Sequence, residues 1–157
     1  MKSDLTLDEI DRKILEILQA NSKITNAQLA IEIGLSPAPT LERVKKLEMA
    51  GIIKSYHAEL DKQLLGLGVN TFVLASLKGQ DKDNIESFIE TVNHIDEIIE
   101  CHHVTGSGDF ILKIIAEDIP SYQQLMLEKI SNIDVLENVE SFVILSTFKD
   151  SKVIPIP

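Results

Sequence analysis

The chain has 157 residues, enough for one domain or two small ones, and 44% hydrophobic residues with only 7 Gly and 5 Pro indicate a folded protein. No apolar run reaches the ~20 residues that span a bilayer, and the acidic opening residues show no secretion signal, so we expect a cytoplasmic protein with no membrane partner. The single cysteine, Cys101, excludes an internal disulfide.

The net charge of −10 disfavours a nucleic-acid partner, but the acidic excess is unevenly distributed. Residues 1–60 carry eight Lys and Arg against nine Asp and Glu, whereas residues 61–157 carry seven against sixteen. Ser36–Lys54 holds four basic and two acidic residues, a local charge of +2. A basic patch on one face can still bind DNA, so the total charge weakens that hypothesis without removing it.

Two helices are predicted at the start of the chain. Leu7–Ala20 has apolar residues at helical spacing, and Thr6 with Glu9 predicts a capping box at its beginning. A second helix begins in the same way at Thr25, and Gly34 is expected to end it because glycine accepts the left-handed conformation.

A third helix and a strand follow closely. Ser36 is predicted to cap the helix, with Pro37 at its first position, and Gly51 to end it. Ile52–Ala58 then alternates apolar and polar residues, which predicts a strand. Two helices joined by so short a turn indicate a winged helix-turn-helix, whose second helix can enter the major groove.

The third helix has one predicted inner face, formed by Leu41, Val44 and Leu47 at intervals of three. On the outer face, Arg43 can offer a bidentate fork to guanine or phosphate, and the neighbouring lysines can neutralise phosphates. The candidate DNA-binding residues are Thr25, Ser36, Pro37, Ala38, Pro39, Thr40, Arg43, Lys45, Lys46 and Lys54.

A plainer interpretation of the same residues remains open. Ser36 and Pro37 can serve only as a helix cap, and the basic side chains can form a solvated helix face. A unit of three helices and a strand can also act in protein contacts alone, as part of a scaffold or ligand-binding protein.

The second part of the chain predicts an α+β domain. A connection over residues 61–69 leads from a first domain, 1–60, to a second, 70–157. The order of elements, β-α-β-β-α-β, is that of the ferredoxin-like fold. Its helices cover one face of the sheet, and we expect a second copy to cover the other. Strands are predicted over Asn70–Leu77, Ile95–Val104, Phe110–Ala116 and Val139–Phe148, and helices over Lys82–Asn93 and Ser121–Ile130.

One turn in this domain is a candidate ligand site. Glycines in Gly106–Asp109 allow close approach of a small molecule to the backbone, and Asp109 can pair with an ammonium group. Alternatively, these are ordinary hairpin residues. Metal binding at Cys101 and His103 is disfavoured, because His102 would point to the opposite face of a strand and no other Cys or His lies nearby in the sequence. No cofactor is predicted, and no nucleophile–base arrangement supports an enzyme.

Several segments resemble the Lrp/AsnC (feast/famine) family of transcription regulators. Leu7–Leu15 resembles its opening helix, and residues 33–37, 43–48, 51–53 and 56–58 resemble its recognition helix and wing. Glu100–Gly106, with Asp109 and Phe110, resembles the hairpin of its ligand-sensing (RAM-type) domain. The similarity extends over about residues 4–150.

The resemblance implies a function and an assembly. Family members bind double-stranded DNA as homodimers that assemble further, often into octamers, and many sense a free amino acid. The implied effector-binding residues are Thr105, Gly106, Ser107, Gly108, Asp109 and Phe142. The outer helix positions Ala38, Thr40 and Glu42 vary in the family, so the operator sequence does not carry over. A ligand-independent architectural DNA-binding protein is the alternative within the family.

Overall fold

The computed structural model describes residues 6–157, which form two compact units; residues 1–5 of the predicted first domain lie outside the described part. The first unit ends at Glu59 and also contains Lys149–Pro157, while the second comprises Leu60–Phe148. The predicted second domain reached residue 157, so the packing of Lys149–Pro157 with the first unit differs from the expectation. Within the described residues, no helix is both long and apolar enough to cross a membrane.

Three helices build the first unit: α1 (Glu9–Ala20), α2 (Asn26–Ile33) and α3 (Pro37–Met49). They pack around a core that contains Ile14 and Leu47, both fully buried. The predicted cap of α2 is confirmed, because the Thr25 hydroxyl accepts a hydrogen bond from the backbone of Gln28. Gly34 has φ 74° and ends α2 in the left-handed conformation.

The predicted cap of α1 is wrong by two residues. Asp8, not Thr6, caps the helix: its carboxylate accepts the Asp11 N–H at 2.8 Å, and the Asp11 carboxylate accepts the Asp8 N–H at 3.4 Å. Asp8 and Asp11 have the same spacing of three as Thr6 and Glu9, and aspartate is an equally good cap. The spacing of three residues therefore could not distinguish Asp8 and Asp11 from Thr6 and Glu9.

The inner face of α3 is also rotated from the prediction. Leu47 is buried as expected, but Leu41 is 43% exposed and Thr40 is completely buried. The Thr40 hydroxyl donates to the Ser36 carbonyl at 2.9 Å, so this polar side chain is satisfied within the helix. Ser36 occupies the cap position, although its own side chain makes no capping hydrogen bond.

The predicted wing strand Ile52–Ala58 is absent: this range has no regular secondary structure. The N–H groups of Ile52 and Ile53 bond to the Leu47 carbonyl, at 3.0 and 3.2 Å, and both isoleucines pack against the helical core. A strand requires a hydrogen-bonded neighbour, and no strand of the described residues pairs with this segment.

The second unit has the predicted β-α-β-β-α-β order. Its four antiparallel strands lie in the order β2-β3-β1-β4, as in a ferredoxin-like fold. The elements are β1 (Val69–Leu77), α4 (Lys82–Val92), β2 (Ile98–His103), β3 (Phe110–Ala116), α5 (Ile119–Leu125), a π-helical turn (Met126–Ile130) and β4 (Leu136–Val143).

The last strand lies earlier than the predicted Val139–Phe148. In the register of the sheet, Thr71 is paired with Val143, and one more bond joins Ile144 N–H to the Asn70 carbonyl at 2.9 Å. Since β1 begins at Val69, the residues beyond this point have no strand to pair with. The length of β1 therefore limits β4.

The two faces of the sheet differ in burial. Alternate residues of β1 and β3, including Val73 and Leu112, form the core with the helices. The other face carries Phe72 and Phe142, which face each other across β1 and β4 and are 37% and 49% exposed. This open face places apolar side chains beside the turn between β2 and β3.

Candidate DNA interface and ligand-binding turn

The beginning of α3 is held in place by α2. The Asn26 side-chain amide donates to the Pro37 carbonyl at 2.8 Å, joining the first residues of the two helices. Pro37 fits there because the first helical position needs no N–H donor. Asn26 was not predicted as a functional residue, and no sequence motif distinguishes it from other polar residues of α2.

Arg43 is engaged within the chain, so it does not present a free fork in this structure, and DNA contact by Arg43 stays a prediction. Its Nη1 lies 2.7 Å from Asp8 Oδ2 and 2.7 Å from Asp11 Oδ1, and the Asp11 side chain is buried. Bonds to Asp8 and then to Asp11 raise the pKa of Arg43, while the Asp11 N–H and the guanidinium lower the pKa of Asp8. Arg43 thus ties α3 to the beginning of α1.

The remaining DNA candidates fall into two groups. Thr40 is fully buried, so the prediction that it contacts DNA is wrong, and Pro39 is half-buried. No salt bridge within residues 6–157 engages Lys45 or Lys46. The exposed candidates are Thr25, Ser36, Pro37, Ala38, Lys45, Lys46 and Lys54.

The segment after α3 is also attached to that helix. The Tyr56 hydroxyl donates to Glu48 Oε1 at 2.9 Å, and partial burial, together with this bond, raises the pKa of Tyr56 to about 12. This bond fixes the direction of the Glu48 carboxylate and attaches the segment to the end of α3. The pairing of these two residues was not predicted.

Asp109 fixes the β2–β3 turn to the end of β1. Its Oδ2 accepts the Leu77 N–H at 2.8 Å, and its Oδ1 accepts the Gln80 side-chain amide at 2.7 Å. Its backbone N–H donates to the Ala75 carbonyl and its carbonyl accepts from Val104, both at 2.9 Å. The carboxylate therefore has a positioning role in the chain itself, and pairing with a ligand ammonium stays a prediction. Gln80 was not predicted, because it lies outside the motif.

There is a steric reason for glycine at both positions of the turn, 106 and 108. Gly106 has φ 141°, a conformation that other residues rarely adopt. At Gly108, an added Cβ would lie 2.6 Å from Leu74 Cγ. The turn therefore lies directly against β1.

A cleft lies on each side of this turn. One, of about 750 Å³, is lined by polar groups of Gln80, His103 and Asp109 together with the turn. The other, of about 620 Å³, is lined by Phe72, Phe142 and further apolar side chains of the open face. Thr105, Gly106 and Gly108 border both clefts, and Ser107 borders the apolar one. The predicted effector residues are thus brought together around one turn.

The Cys101 and His103 side chains are used in packing. Cys101 packs against the core of the second unit, and burial raises the pKa of its thiol. The His103 ring stacks on Phe110 with centroids 4.8 Å apart. Within residues 6–157, no group of three or more metal-ligating side chains is present.

A helix-turn-helix with exposed lysines, joined to a ferredoxin-like unit with clefts around a turn, defines a DNA-binding regulator with a ligand-sensing domain. Residues 7–54 match the winged helix-turn-helix DNA-binding family, and residues 70–154 match the Lrp/AsnC ligand binding domain. The chain belongs to the Lrp/AsnC family of transcription regulators.

Individual relatives cover nearly the whole chain. The transcriptional regulator AzlB of Bacillus subtilis is 36% identical over 152 residues, 97% of each protein. The leucine-responsive regulatory protein of Escherichia coli is 37% identical over 145 residues, 92% of this chain and 88% of that protein. A transcriptional regulator of Neisseria meningitidis, solved with L-Met, has a TM-score of 0.91 and 33% identity over 96% of this chain and 97% of that one.

Proposed function

We propose that the chain regulates transcription by docking the exposed side of α3 in the major groove of double-stranded DNA. The observation that carries this proposal is the contrast between the two sides of α3. Thr40 and Leu47 are buried, and Arg43 is bonded to α1, while Lys45 and Lys46 extend into solvent. Because α3 is held by these contacts, its lysines project from a fixed helix. A fixed helix can place its cations on the phosphates of DNA, which a flexible charged surface does less well.

The DNA-binding proposal is tested by fluorescence anisotropy with a labelled duplex at several salt concentrations. Lys46→Ala should weaken binding similarly for all sequences and lower the salt slope by about one. Lys82→Ala removes the same charge from an exposed side chain of the second unit and should leave both quantities unchanged. If the unmodified protein binds no duplex even at low salt, the proposal is wrong.

The ligand that fits the turn best is a free amino acid with an apolar side chain. Within the described residues, no protein acceptor receives the backbone N–H groups of Gly106, Ser107 or Gly108, so they are available to a carboxylate. The apolar cleft beside them is lined by Phe72 and Phe142 and suits an apolar side chain. The names of the leucine-responsive relative and of the L-Met complex agree with this class of ligand.

A thermal-shift screen of the common amino acids tests this ligand class, because a ligand that binds the folded state raises its stability. Apolar amino acids should raise the melting temperature, and Phe142→Ala should remove the shift. Phe148→Ala is the matched control, since Phe148 is almost completely exposed and lines neither cleft. No shift with any amino acid, while DNA binding is intact, would favour a ligand-independent architectural protein.

The assembly that we propose is a homodimer formed through the open face of the sheet, which associates further, as far as an octamer, in the cytoplasm. Phe72 and Phe142 are neighbours on one face of the sheet, and both are exposed in a single chain. An exposed pair of aromatic side chains is typical of a surface that a partner covers. Light scattering should show a dimer or larger, and Phe72→Asp should reduce the mass to that of a single chain. Ile119→Asp changes an exposed isoleucine of α5 and should leave the mass unchanged. The role is regulatory rather than catalytic.

A further inference from the structure

The segment Lys149–Pro157 is bound to α1 by specific hydrogen bonds. The Gln19 side-chain amide makes two bonds with the backbone of Ile154: Nε2 donates to its carbonyl at 3.2 Å, and Oε1 accepts its N–H at 2.8 Å. Arg12 Nε donates to the Pro157 carbonyl at 2.7 Å. A side-chain amide that pairs with both backbone groups of one residue acts like a neighbouring strand, which is how proteins recognise extended peptides.

The surface that receives this segment is an apolar groove of the first unit. The groove lies between α1, with Leu15 and Leu18, and residues 52–57, and a space of about 380 Å³ remains in it beside the bound segment. Ile156 packs against the core of the three helices. Pro155 lacks an N–H, so the segment leaves few backbone donors to satisfy while Ile156 covers apolar surface.

We propose that this groove is a docking site for an extended apolar peptide, that its occupant is the chain's own segment Lys149–Pro157, and that the bound segment couples β4 to the DNA-binding unit. The coupling part rests on the proposed function. Phe142 of β4 lines the apolar cleft, and the chain continues from β4 directly to the docked segment. The docked segment holds α1, and α1 holds α3 through Asp11 and Arg43.

A change at β4 on ligand binding therefore has a second route to α3, besides the chain connection at Leu60. This route is covalent as far as the segment and then passes through hydrogen bonds to α1 and the Asp11–Arg43 ion pair. The bonds at Gln19 and Arg12 are exposed, so their strength is modest and the segment can be released. A contact that can open is suited to regulation, since a ligand changes an equilibrium only if its two states differ little in free energy.

Cross-linking of the full-length protein tests the docking. In a Cys101→Ser background, a short bismaleimide should join the pair Ser22→Cys and Ile154→Cys, which both line the groove and leave the Gln19 and Arg12 side chains intact, at least about tenfold faster than the pair Glu32→Cys and Ile154→Cys. Proximity raises the effective concentration of the first pair. Glu32 is an exposed residue of α2, which contributes nothing to the groove. A single-chain product on a denaturing gel is expected. Equal rates for the two pairs overturn the docking, and a two-chain product overturns the claim that the occupant is the chain's own segment.

The coupling is measured as the ratio of the DNA dissociation constants with and without the stabilising amino acid. Gln19→Ala and Ile156→Ala should each bring this ratio to within about twofold of one, while the affinity for the amino acid is retained. Glu16→Ala changes an exposed residue of the same helix and should keep the original ratio. Unchanged ratios in both variants of the contact overturn the coupling. Failure of the proposed function is seen separately, as absent DNA or amino-acid binding by the unmodified protein, and leaves the cross-linking result intact.

Discussion

The two units use their most prominent charged residues in the same way but form their binding surfaces differently. In the helical unit, Arg43 is bonded to Asp8 and Asp11, and in the sheet unit Asp109 is bonded to Leu77 and Gln80. Each residue matches a motif that suggested direct ligand contact. In this structure each fixes one element to another, and direct ligand contact by either residue stays a prediction.

The surfaces that remain for ligands are unlike each other. The helical unit offers exposed lysines on a fixed helix, which suit phosphates. The sheet unit offers free backbone N–H groups and apolar side chains around a glycine turn, which suit a small zwitterion. The comparison teaches that a charged residue within a motif can support a site, while other groups beside it, here the exposed lysines and the backbone N–H groups, are left for the contacts that we propose.

Removing Arg43, which fixes α3 to α1 in the helical unit, should change the stability most. Arg43→Ala leaves the buried Asp11 carboxylate without its cation, and we expect the free energy of unfolding of the first unit to fall by about 3 kcal/mol. Hydrogen exchange in α1 and α3, measured alongside urea unfolding, assigns the loss to this unit. Lys46→Ala should change stability by less than about 0.5 kcal/mol.

The opposite pattern would reverse the interpretation of Arg43. If Arg43→Ala retained full stability and exchange protection but lost DNA binding, the arginine would contact DNA directly, as its motif suggests, and its bonds to the aspartates would be replaceable in the complex.

In the sheet unit, the corresponding test is Gly108→Ala. The new Cβ would overlap Leu74, whose displacement should cost about 2 kcal/mol and remove the amino-acid response. Ser107→Ala in the same turn adds no atoms and should keep the stability. A Gly108→Ala protein with normal stability and normal thermal shifts would show that the turn does not have to lie against β1.

Most elements could be predicted because their patterns are local. Helix periodicity and the Thr25 cap located the helices, and an apolar run beside the glycine turn located β3 at its observed bounds, Phe110–Ala116. The two errors in strand prediction arose where a distant partner decides the outcome. The wing segment has no strand beside it, and β4 ends where β1 begins.

The candidate sites show the same division. The glycine turn and the exposed lysines follow from local chemistry and from the family motif. The engagement of Arg43 does not, because nothing in the sequence indicates that α1 and α3 bring Asp11 to it, and Gln80 carries no signal at all. Thr40 was misplaced because a small hydroxyl residue near a helix start fits both an exposed contact and an internal bond.

A pair of Thr→Val variants compares how well the two cores satisfy a buried hydroxyl. Thr40 donates to the Ser36 carbonyl, whereas Thr71 Oγ1 in β1 is buried and has no hydrogen-bond partner within the described residues. Thr40→Val should lower stability by about 1 kcal/mol, and Thr71→Val should raise it by about 0.5–1 kcal/mol. Urea unfolding measures both. If Thr71→Val is as destabilising as Thr40→Val, the Thr71 hydroxyl has a partner in the assembled protein.

The smallest expected effect is the pH dependence of the stability that two aspartate caps, Asp8 and Asp118, contribute. The Asp11 N–H and the Arg43 guanidinium hold the pKa of Asp8 below its ordinary value of 3.8, and the hydroxyl and N–H of Ser121 lower the pKa of Asp118 in the second unit. Because folding lowers these pKa values, the stabilisation is complete above the ordinary value and is lost as the pH falls through the folded one. The stability difference between Asp8→Asn and the unmodified protein should therefore shrink as the pH falls below the ordinary value of 3.8 and through the lowered pKa of the folded protein. In an Arg43→Lys background the Asp8 difference should become smaller, because lysine lacks the guanidinium fork, whereas the Asp118→Asn difference should not change. An Asp8 difference that is independent of pH would mean that the carboxylate charge does not contribute to holding α3 against α1.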